Sequence, residues 1–219
     1  MSSPQRTARI AGVLYFVTHV TSVAAALLYG GSAKDPLAPL GSRQAVLTGA
    51  ALEVILAVAV VGTGVALYPL VRRFSATTAT GYLALRTLEA SVILMGVVVL
   101  LPAVARPGIA GSPGLSAQSV DALRLVHDWT FLVGPGLVVP FHTALLSALL
   151  WRTRQVPRIV SGLGLVGGPL VGAMNLAVMF GVSTVIPILV IPVFAWEIGL
   201  AGYLILRGFA VDRSAPQVG

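Results

Sequence analysis

Glu53, Arg86, Glu89, Arg124, Asp128 and Glu197 stand among Leu, Val, Ala, Ile and Gly, in stretches apolar enough to cross a membrane. A charge in a bilayer core is tolerated where it pairs across a helix bundle or faces a water-filled cavity. Four acids against two arginines leave two negative charges uncovered. At least one of Glu53, Glu89, Asp128 and Glu197 is therefore expected to hold a proton, or to pair with His19 or His127. A proton relay or a cation site would reside there. The alternative is a buried ion-pair network that only fixes helix registry.

Spacing groups these residues. Arg86 and Glu89 are three apart, share a helix face and can pair, and Tyr82 adds a hydroxyl one turn earlier. Asp121, Arg124 and Asp128 form a second stripe, and Tyr15, His19 and Ser22 a third. Position along the spans puts His19, Arg86, Glu89 and Glu197 near mid-depth. Glu53, Arg124, His127 and Asp128 fall farther out, with Asn175 at a similar height and His142 toward the other face. The candidate binding cluster is thus His19, Glu53, Tyr82, Arg86, Glu89, Arg124, His127, Asp128 and Glu197, with no catalytic residue assigned.

More specific chemistries find little support. Haem would need two histidines at matching depth on facing helices, for which His19 with His127 is the best pair. Zinc would need both of these and Asp128 or Glu53 to converge, and no HExxH pair exists. The chain has no cysteine, GxSxG elbow, P-loop or dinucleotide fingerprint. No cofactor is expected.

The elements that position the cluster follow from composition. Of 219 residues, 57% are hydrophobic and 10% charged, with mean hydropathy +0.95; soluble domains carry roughly 25% charged residues. The pattern predicts an all-α bundle of six transmembrane helices, about 10–30, 45–70, 78–103, 119–150, 159–180 and 185–207. Gly30, Gly31 and Pro36, Arg72-Arg73 with Ser75, Pro107 through Pro113, Pro157 and Gly181 punctuate them. No polar run is long enough for a separate soluble domain, so residues 1–219 read as one membrane domain. The apolar run after Arg6 and Arg9 exceeds a typical signal-peptide core and carries Tyr15, Thr18 and His19, which fits a retained helix.

Arg6, Arg9, Arg72, Arg73, Arg152, Arg154, Arg158, Arg207 and Arg213 fall on one side, and Lys34, Arg43 and Arg106 on the other. The positive-inside rule then puts both termini in the cytoplasm. Trp151, Tyr29 and Tyr68 fall near span ends, as interfacial aromatics do. The +7 charge marks these edges and not a nucleic-acid surface.

Two spans carry interruptions. Gly134-Pro135-Gly136 and Pro140 should kink or break the fourth, and Pro187 and Pro192 interrupt the sixth just outward of Glu197. Broken helices at membrane depth can expose backbone groups to a ligand. In the fifth span Gly164, Gly168 and Gly172 share a face that lets another helix approach, with Asn175 placed to bond across that contact.

These motifs resemble the bacterial DUF4386 family over almost the whole chain. The resemblance rests on Arg9 to Gly12 with Tyr15, Glu53 followed by Ala66 to Pro69, Gly81-Tyr82 leading to Arg86-x-x-Glu89, Val156 to Arg158, and Glu197 before Gly208-Phe209. It implies six helices in a bacterial plasma membrane and no reaction. Three functions remain open. They are binding or transport of a small solute, lipid headgroup or proton; a non-catalytic subunit, scaffold or sensor; and a lipid-modifying intramembrane enzyme. Membrane lipids are the expected surroundings, and transport by only six spans would call for a homo-oligomer.

Overall fold

A computed structural model of the protein describes residues 3–30, 40–105 and 114–209. Gly31, Lys34, Pro36, Arg106, the Pro107 to Pro113 stretch and Arg213 lie outside the described residues. Within them every regular element is helical: α1 (Ser3–Leu28), α2 (Arg43–Val71), α3 (Ala76–Leu100), α4 (Ala117–Val133), α5 (Val139–Thr153), α6 (Arg158–Met179) and α7 (Ile191–Leu206). A 3-10 turn, Leu101–Val104, extends α3, and another, Pro187–Val190, leads into α7. A π-helical turn, Gly134–Val138, joins α4 to α5.

The six expected spans are present as six helices long and apolar enough to cross a membrane, with ends within a few residues of those read from sequence. Serines start three of them. The Ser42, Ser75 and Ser116 hydroxyls accept from the backbone N–H of Ala45, Thr78 and Ser119, covering donors that a helix start leaves open. Gly181, at φ +68, closes α6 in a left-handed conformation that costs glycine little.

Each span packs against its sequence neighbours, and α7 returns to α1, so the six spans close into a ring. Apolar side chains such as Val20, Val58, Val98, Phe141 and Ile159 face outward, while Glu53, Arg86, Glu89, His127 and His142 are buried inside. That inversion suits lipid as the surrounding solvent. Tyr29 departs from its expected interfacial place, being 7% exposed and turned into the bundle.

The fourth span runs unbroken for 37 residues, Ala117–Thr153, roughly 55 Å at helical rise against a hydrocarbon core of about 30 Å. Its interruption is a π turn and not an unwound gap. Pro140 has no N–H to give the Gly136 carbonyl four residues before it. Asn175 of α6 donates to that carbonyl from Nδ2 at 3.3 Å, making the bond across the contact that its position suggested.

The glycine face of α6 permits that approach. A Cβ on Gly164 would lie 2.0 Å from Ser147 Oγ and 2.7 Å from Trp196, and one on Gly172 3.1 Å from Pro140. Gly167, outside the four-residue repeat, meets α7 instead, where a Cβ would sit 2.5 Å from the Val193 nitrogen. Backbone cannot swing aside as a side-chain tip can. Gly167→Val should therefore cost about 1–3 kcal/mol or more through overpacking. Gly202→Val, where a Cβ meets nothing within 4 Å, should cost little. Thermal midpoints of the two variants in one detergent compare them directly.

Candidate functional site

At the centre of the ring, the Arg86 guanidinium on α3 is 2% exposed and spans three helices. Its Nε donates to Thr63 Oγ1 (3.0 Å) and reaches the Val60 carbonyl (3.3 Å), both on α2. Its Nη1 donates to Glu89 Oε2 at 2.9 Å, the pairing expected from their spacing. The same carboxylate oxygen accepts from His142 Nε2 of α5 at 3.0 Å. Arg86 Nη2 and His142 Nδ1 are buried without a hydrogen-bond partner among the described residues. Tyr82 places its hydroxyl against that of Tyr15 on α1 and its ring edge-on to His142. Arg86 lies over the Tyr15 ring, 5.5 Å from its centroid.

One turn along α1, His19 makes the second pair. Its Nδ1 lies 2.9 Å from the Tyr15 carbonyl and its Nε2 3.2 Å from Glu197 Oε2 on α7. The third pair joins α4 to α2: His127 Nε2 is 3.1 and 3.2 Å from the two Glu53 oxygens, and its Nδ1 is 3.4 Å from Asp128 Oδ1. The chain has three histidines and three glutamates, and each histidine meets a different glutamate on another helix.

Hydrogen-bond chemistry separates the pairs. His142 has one close acceptor, Glu89 Oε2, which a neutral imidazole with its proton on Nε2 serves, although the Arg86 Nη1 donor also lies 3.3 Å from that nitrogen and Nδ1 stays unpaired among the described residues. His19 and His127 each face an acceptor oxygen with both ring nitrogens, and a neutral ring has only one N–H to offer. Each of those pairs must hold one further proton, on the ring or on the carboxyl. Those two protons cover the two negative charges that the arginines leave.

Two cavities open onto this network. One of about 270 Å³ touches Thr18, His19, Arg86, Glu89, Pro135 and Glu197. The other, about 310 Å³, touches Tyr29, Glu53, Arg124, His127, Asp128 and Phe131. Of the residues singled out in the sequence, His19, Arg86, Glu89 and Glu197 line the first, Glu53, Arg124, His127 and Asp128 the second, and Tyr82 neither; Ser22 lines both. Toward the arginine-rich end, Tyr15, Tyr82, Leu146, Leu150, Trp196 and Leu200 fill the ring as a packed, mainly apolar layer that also buries Ser147 and Ser161. The two cavities that touch the histidine–glutamate pairs thus lie in the half bearing the ends of α1 and α3.

Several placements differ from those expected. His142, expected toward the other face and outside the cluster, is fully buried against Glu89. Asp128, expected to be deep, has a 51% exposed side chain. The Asp121–Arg124–Asp128 stripe exists, but successive residues turn about 100° around a helix, and it is His127 and Thr130 that face inward. His19 and His127 do not converge on one ligand position, since each is held by a different glutamate. Tyr29, absent from the expected cluster, closes the outer cavity with its ring edge-on to His127 at 5.0 Å. Burial and the nearby Glu53 charge hold its phenol well above the ordinary range, so it stays a hydroxyl.

A family model described as a domain of unknown function (DUF4386) matches residues 10–208. Neither a curated protein nor a solved structure matches the chain.

Proposed function

The chain belongs to the DUF4386 family, whose description names no reaction, and from its own side chains we propose that it binds a small solute at mid-span and links that binding, or the solute's passage, to a proton. The pairing of His19 with Glu197 across α1 and α7, on the wall of the central cavity, carries this reading. Loss of the shared proton would set an imidazole lone pair against a carboxylate at 3.2 Å. The α1–α7 contact would then favour a second arrangement, so proton occupancy and helix position would be coupled. Arg86 Nη2, buried at the same cavity, supplies a donor for an anionic or carbonyl group of the solute. The reading includes a bacterial plasma membrane, cytoplasmic termini and a homodimer.

Purified protein in lipid vesicles, with a pH-sensitive dye inside and an imposed pH gradient, tests it. Wild type should move protons when solute is supplied, and Glu197→Gln, inserted at equal level, should fall to the rate of protein-free vesicles. Equal flux in the two proteins would end the proposal. A second reading, a membrane subunit whose ion pairs only set helix registry, draws on the mutual pairing of Arg86, Glu89 and His142 across α3 and α5. Under it, Glu197→Gln should lower thermal stability and leave proton flux at the background shared by wild type.

A further inference from the structure

The outer cavity has features the central site does not use. Glu53 is 1% exposed at its wall, while the Asp128 side chain on the same lining is half-exposed. Arg124 is the arginine on the same wall. Two carboxylates against one guanidinium leave one negative charge, which the proton shared by His127 covers. The His127 ring is itself held between aromatics, edge-on to Tyr29 at 5.0 Å and tilted against Phe131 at 5.2 Å. Two aromatic rings thus flank the imidazole, as aromatic side chains flank organic cations, and an imidazolium there would have the same surroundings. Tyr29 is 7% exposed and lines the cavity, and its hydroxyl has no hydrogen-bond partner among the described residues.

We infer that this cavity binds a small lipophilic organic cation, an amine or quaternary ammonium, against Glu53 in exchange for the proton held by His127. Charge fixes the stoichiometry. The bound cation brings one positive charge and His127 releases one, so the wall stays neutral before and after. The apolar remainder of the lining, Ala26, Leu40 and Leu100, selects an organic ion over a hydrated metal ion; hard cations take six or more oxygen ligands. Among the described residues, the charged groups facing His127 are Glu53 from α2, and Arg124 and Asp128 from its own helix. The inference supplies a ligand class for the proton-linked reading and rests on it, but its test needs no transport.

The full-length protein in detergent is titrated with benzyltrimethylammonium by calorimetry, in two buffers of different ionisation enthalpy. Binding should saturate at one cation per chain with one proton released. Its affinity should rise about tenfold per pH unit while His127 is protonated in the free protein. The neutral carbon isostere neopentylbenzene should not compete. Glu53→Gln should abolish binding, and Asp128→Asn should weaken it less. His127→Gln should still bind, with proton release and pH dependence both gone, which keeps the test decisive if Glu53→Gln fails to fold. No saturable binding by wild type, binding without proton release, or competition by neopentylbenzene overturns the site. Proton flux in vesicles without cation binding overturns this inference alone; cation binding without flux overturns transport alone.

Discussion

Exchanging Glu89 for alanine is expected to cost more stability than exchanging Arg86, although the two form one ion pair. A guanidinium cannot shed its proton. Glu89→Ala therefore strands a buried positive charge whose remaining close partners are neutral: Thr63 Oγ1, the Val60 carbonyl and the His142 ring nitrogen 3.3 Å from Nη1. Arg86→Ala leaves Glu89 beside His142 Nε2 at 3.0 Å, and that imidazole can take a second proton to balance the carboxylate. Removing one partner of a buried pair costs about 3–5 kcal/mol. Glu89→Ala should fall in that range, Arg86→Ala below it, and the double variant should recover part of the Glu89→Ala loss. Reversible unfolding in mixed micelles gives all three values. Additive losses, or a larger loss from Arg86→Ala, would show that the group does not act as a charge-balanced unit.

The same group shows why the fold was more legible in the sequence than the site. Spans follow from runs of apolar residues, and the capping serines and prolines mark their ends, so local composition is enough. The pairing of Arg86 with Glu89 and the two depth layers were also readable, because residues three or four apart share a helix face and depth follows from position along the span. What did not follow was rotation of one helix against the next. Asp128 follows His127 directly, and nothing local says which of the two turns inward. His142 comes after the π turn at Gly134–Val138, whose extra residue per turn shifts the face presented to α3. One signal in the sequence does point to His142. The charge count admitted only His19 and His127 as partners, whereas three histidines match three glutamates. Thr63, which accepts from Arg86, carries no such signal, since a lone threonine in an apolar helix usually bonds its own backbone, as it also does here to Val60.

Trp196→Ala is expected to lower stability and to open a leak, and the two effects separate the functional readings. The indole is fully buried, edge-on to Tyr15 at 6.3 Å and close against Gly164. Truncating a core tryptophan costs about 3–5 kcal/mol. The space lost lies beside Tyr15 and Tyr82, in the apolar layer that closes the central cavity toward the arginine-rich end. A proton entering from the other side meets its main barrier there, because the ionisable groups on the cavity wall stop at Arg86, Glu89 and Glu197, while Leu146, Leu150 and Leu200, with the small hydroxyls of Ser147 and Ser161 among them, lie beyond. Each 1.4 kcal/mol removed from that barrier raises the leak about tenfold. Vesicles carrying Trp196→Ala should therefore dissipate a pH gradient faster than wild type without added solute. Trp196→Phe, which keeps an aromatic ring in the layer, should stay tight. A Trp196→Ala variant that loses stability while remaining as tight as wild type would show that the cavity conducts no protons to the layer, as expected if the ion pairs only fix helix registry.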